Sequence, residues 1–61
     1  MLSKQDVLRV AAEAGLDPRT VGRIVNEGIA PRSEATRQSL VKALEVLGFD
    51  DAAETLKGEV R

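Results

Sequence analysis

The sequence predicts an all-α domain of short helices, and three observations carry that prediction. Apolar residues recur at helical spacing in three separate stretches. Each stretch opens on a capping residue and closes at a glycine. No segment alternates apolar and polar residues with the period of two that a half-buried strand requires.

The first helix is expected over 4–14. Ser3 is its cap, and Asp6 three residues on makes a capping box with Asp in place of Glu. Leu2 and Val7 stand at the staple positions on either side of the cap. Val7, Val10, Ala11 and Ala14 then share one face, and Gly15 is the left-handed stop. The second helix is expected over 18–27. Asp17 caps it and Pro18 suits the first helical position, where no amide hydrogen is needed. Leu16 and Val21 form another staple pair, Val21, Ile24 and Val25 make the buried face, and Gly28 ends the run. After the loop Gly28-Ile29-Ala30-Pro31-Arg32, Ser33 caps a third helix over 34–47, with Glu34 in its first turn. Its stripe is Leu40, Ala43, Leu44 and Leu47, and Gly48-Phe49 reads as a Schellman stop that folds Phe49 back on Leu44. A short fourth helix over 50–57 has thin apolar content: Ala52, Ala53 and Leu56, then Val60 beyond. Those residues serve either local packing or a dimer patch.

Composition bounds the rest. The chain has 61 residues, and 18 of them are apolar residues larger than alanine, so residues 1–61 make one small domain. There is no Cys and no His, which removes disulfides, thiol nucleophiles, zinc fingers and the usual general base. Ser3, Ser33 and Ser39 sit in no Ser–Lys or carboxylate context, so no catalytic residue, metal ligand or cofactor is expected and the chain is read as no enzyme. Phe49 is the one aromatic residue, too few for a base-stacking platform. No apolar run exceeds Val10-Ala11-Ala12, so no membrane segment is expected and an intracellular, cytoplasmic place is the default. Net charge is −1, yet it is unevenly placed: residues 1–37 sum to +1 and residues 38–61 to −2.

The join Ala14-Gly15-Leu16-Asp17-Pro18 is the informative segment. Two helices meeting steeply through so short a glycine turn make a helix-turn-helix unit, here 4–27. With its inner face fixed, the second helix presents Arg19, Gly22, Arg23 and Asn26 outward, with Pro18 and Thr20 at its leading end. Arg19 and Arg23 are one turn apart, and arginine can bond guanine O6 and N7 in the major groove. Arg32 and Arg37 are placed to hold phosphates.

Residues 7–26 resemble the helix-turn-helix of the LacI family. Thr20-Val21-Gly22-Arg23-Ile24-Val25-Asn26 is similar to the family's Thr-Val-small-Arg-apolar-Val-Asn run, position by position. Ala35-Thr36-Arg37 and Ala43-Leu44-Glu45-Val46-Leu47-Gly48-Phe49 are similar to the opening and ending of the family's next helix, so the resemblance covers about residues 3–49. It implies that Pro18, Arg19 and Arg23 face base edges. It also implies that Gly22, Asn26, Ser33 and Thr36 lie near phosphates, and that Asp6 and Val7 approach the duplex backbone. Two departures stand out: Pro18 has no side-chain donor, and Gly22 replaces the common Ser. The inducer-binding domain has no counterpart here, so sugar sensing is not carried over, and neither is the minor-groove hinge.

The expected function is therefore sequence-specific binding of double-stranded DNA by a small transcriptional regulator, bacterial or phage-encoded and nucleoid-associated, acting as a homodimer. The start at Met1 and the run past the third helix are read as a complete small protein. The rival expectation is a protein-interaction module of antitoxin or anti-repressor type, which the acidic tail favours.

Overall fold

The computed structural model describes residues 2–58, and within them the chain forms α1 (Lys4–Ala14), α2 (Pro18–Asn26), α3 (Glu34–Val46) and α4 (Asp50–Gly58), with no strand. The all-α expectation holds. The expected end at 27 shortens because Glu27 is the cap of α2, and the expected end at 47 shortens because Leu47 is the cap of α3. The fourth helix runs one residue beyond its expected end at 57. Val60 lies outside the described residues.

Local chemistry accounts for the ends. Ser3 Oγ accepts from the Asp6 N–H at 3.1 Å, Asp17 Oδ1 from the Arg19 N–H at 2.8 Å, and Ser33 Oγ from the Thr36 N–H at 3.2 Å. Each satisfies an amide that the first helical turn leaves unpaired. Gly15, at φ 72°, turns the chain out of α1 so that the Leu16 N–H reaches the Ala11 carbonyl at 2.9 Å. Gly48, at φ 88°, does the same for α3: the Phe49 N–H donates to the Leu44 carbonyl at 2.8 Å and the Gly48 N–H to the Glu45 carbonyl at 3.1 Å. That is the Schellman stop expected there.

One core joins all four helices. Val10 of α1, Val21 of α2, and Leu40 and Leu44 of α3 are fully buried at its centre. Val7, Ala11, Ile24, Val41, Ala43, Ala53 and Leu56 complete it. Helix α1 packs on α2 and α3, and α3 packs on α4. Because α3 is covered from both sides, Val41 is buried as well as the expected stripe, while Leu47 is only half-buried. Ala53 and Leu56 belong to this core, so of the two roles weighed for the α4 residues, these two take local packing. Outside the core, Lys57 Nζ donates to Glu45 Oε2 at 2.6 Å and lies 3.8 Å from Glu54 Oε2, tying α4 to α3. The hydrogen bond and the charge of Glu45 hold the Lys57 ammonium above its ordinary 10.5.

Two predictions follow from packing and charge. Leu44→Ala removes a fully buried side chain and should cost about 2–5 kcal/mol in urea unfolding, enough to leave a domain of this size largely unfolded. The Lys57 tether contributes fully below the lysine's unfolded pKa and is lost as pH rises through the raised folded one, so α4 should loosen above pH 10.5. Amide shifts of α4 followed by NMR should show that transition in the wild type and not in Glu45→Gln.

Candidate nucleic-acid interface

The inner stripe of α2 orients everything outside it. Val21 and Ile24 are 0% and 5% exposed. At 3.6 residues per turn, Arg19 and Arg23 lie about 150° around the helix from that stripe, and both are exposed. The connection back to α1 is only Gly15-Leu16-Asp17, and Leu16 packs against the core, so α2 has little freedom to roll. Among the described residues, no hydrogen bond or ion pair engages the guanidinium of Arg19 or Arg23. Asp17, the carboxylate nearest Arg19 in sequence, is occupied by its cap to the Arg19 amide, and Glu27, four residues beyond Arg23, makes no ion pair with it.

Beside this face runs an open groove of about 460 Å³. Thr20 and Arg23 of α2, Ile29 and Arg32 of the loop, and Thr36 of α3 line it, together with Leu16 and Ile24. No acidic side chain among the described residues lines it. The loop is pinned to α2 by the Ile29 N–H, which donates to the Arg23 carbonyl at 3.1 Å. Four of the sequence-derived candidates, Thr20, Arg23, Arg32 and Thr36, thus meet at one surface, with Arg19 and Pro18 exposed at the leading end of α2.

The other candidates are placed differently. Asn26 is half-buried and engaged at both ends of its amide: Oδ1 accepts from the Leu2 N–H at 2.8 Å and Nδ2 donates to the Leu2 carbonyl at 3.1 Å. This clasp ties the start of the chain to the last turn of α2. Ser33 closes a pair with Thr36, donating from Oγ to Thr36 Oγ1 at 3.1 Å while capping its amide. Arg37 lines a different groove, between α3 and α4, and is ion-paired with Glu34. Gly22 faces α1, where a Cβ would meet Val7 Cγ1 at 4.0 Å, an ordinary contact. The expected approach of Val7 to a duplex backbone is corrected: its side chain is buried and its N–H is spent on the Ser3 carbonyl at 2.9 Å.

Sequence reasoning missed Ile29 as a groove residue. An isolated apolar side chain in a Gly/Pro loop has no periodic partner to mark it. The described residues hold no group of three His, Cys, Asp or Glu that would suit a metal, and none of their helices is long and apolar enough to cross a membrane. No family model, curated protein or solved structure matches this chain.

Two substitutions check this geometry in the free protein. Asn26→Ala removes both bonds of the clasp and should cost about 1–3 kcal/mol, with faster hydrogen exchange at the Leu2 amide. Gly22→Ala adds a Cβ in ordinary contact with Val7 Cγ1 and should stabilise by about 1 kcal/mol, read as a higher thermal midpoint; a lower one would show that α1 and α2 approach more closely there.

Proposed function

We propose that residues 4–27 act as a helix-turn-helix unit and that the protein binds double-stranded DNA sequence-specifically, as a small transcriptional regulator. The observation that carries this reading is the pair of unpartnered, outward arginines on α2, next to a groove lined by arginine and threonine with no carboxylate. Helix α2 enters the major groove, where Arg19 and Arg23 take guanine edges. Thr20, Arg32 and Thr36 are placed to meet phosphate oxygens along the neighbouring strand. Arg37 and Asn26 contribute less directly, because both are already engaged within the protein. A small domain with few cations per protomer gains from pairing, so the binding form is a homodimer on two half-sites about one duplex turn apart.

The net charge of −1 favours a second reading, a docking module for a protein partner on the same fold. The location of the charge weighs against it at this face: Asp50, Asp51 and Glu54 belong to α4, which packs on α3 and contributes nothing to the arginine-lined groove.

Selection of bound sequences from a random duplex library, followed by anisotropy titration, tests the proposal. Arg23→Ala should weaken the selected duplex by about 5–150-fold, corresponding to about 1–3 kcal/mol for a bidentate base contact, with the helical circular dichroism signal unchanged. Arg37→Ala should weaken it much less. Unchanged affinity in Arg23→Ala removes α2 from the interface, and failure to enrich any duplex removes DNA as the ligand.

A further inference from the structure

We propose that Ile29 is a specificity-determining residue that covers the 5-methyl group of a thymine next to the base read by Arg23; this rests on the DNA-binding reading above. Among the described residues, three large apolar side chains are substantially exposed: Leu8 at 47%, Ile29 at 48% and Val46 at 60%. Leu8 belongs to α1 and Val46 to α3, and neither lines the groove beside α2. Ile29 does, between Arg23 and Arg32. Of the apolar residues lining the groove, Ile24 is buried and Leu16 packs against the core, so Ile29 is the large one that stands exposed beside the arginines and threonines.

The position of Ile29 is held. Its N–H is bonded to the carbonyl of Arg23, the residue that carries the reading guanidinium. A β-branched side chain on a pinned backbone has few rotamers to lose when it is covered. The edges that bases present in the major groove are hydrogen-bond donors and acceptors, with one apolar feature, the thymine methyl. An isoleucine at this place has nothing to offer the polar edges and a favourable contact to offer that methyl. Covering one methyl-sized group contributes about a fourfold change in affinity.

The test uses the duplex enriched by the full chain. Each thymine is replaced in turn by deoxyuridine, which removes the methyl and keeps the pairing. One position per half-site should weaken wild-type binding by about fourfold. Ile29→Ala should bind the thymine and deoxyuridine duplexes alike, and Ile29→Val, which keeps the β-branch, should retain a smaller difference. Both variants alter a half-exposed loop side chain and should keep the wild-type helical signal and thermal midpoint. An enriched site without thymine, thymines that are all replaceable without loss, or a loss that persists in Ile29→Ala overturns the assignment of Ile29 while leaving DNA binding in place. Failure to enrich any duplex overturns the DNA reading, and this proposal falls with it.

Discussion

The burial of Val21 and Ile24 against α1 is the constraint on which the rest of the molecule depends. A nine-residue helix has little stability of its own. It persists because one stripe is withdrawn from water into a core that α1 and α3 have already assembled around Val10, Leu40 and Leu44. Rotation about the helix axis would expose that stripe, and three residues of connection leave no slack for it. The direction in which Arg19 and Arg23 point is thus a by-product of where two aliphatic side chains are forced to go.

Much of this was legible in the residue order because it is local. Ser3, Asp17 and Ser33 are caps whose partners lie two or three residues away, and the stop at Gly48-Phe49 closes within five. The outward direction of Arg19 and Arg23 follows from helical spacing, whereas Gly22 and Asn26, expected on the same face, meet Val7 and Leu2. What escaped is what depends on separation. The Leu2–Asn26 clasp spans 24 positions and uses main-chain atoms, which leave no mark in a pattern of side chains. The depth of Ala53 and Leu56 is not legible in the residue order, because a helix with little apolar content holds only against the particular neighbour that α3 provides. The burial of Val41 has the same origin, since a second covered face on α3 exists only once α4 is docked.

Charge shows why a total is a poor guide at this scale. The sum of −1 describes no part of the surface. On one side, Lys57 is held by Glu45 with Glu54 nearby, and Arg37 by Glu34, so cations and anions cancel pairwise. On the other, arginines stand without carboxylates lining their groove. The cations lining that groove, Arg23 and Arg32, set a local balance that the total does not report.

The clasp between Leu2 and Asn26 also makes the amino end of the chain a working part of the α2 surface. Main-chain atoms of the second residue hold the closing turn of the helix that carries the arginines. An affinity tag, a reporter or a solid support joined just upstream of Leu2 is held next to that turn. Attachments meant to leave the arginine-bearing surface undisturbed belong elsewhere on the molecule.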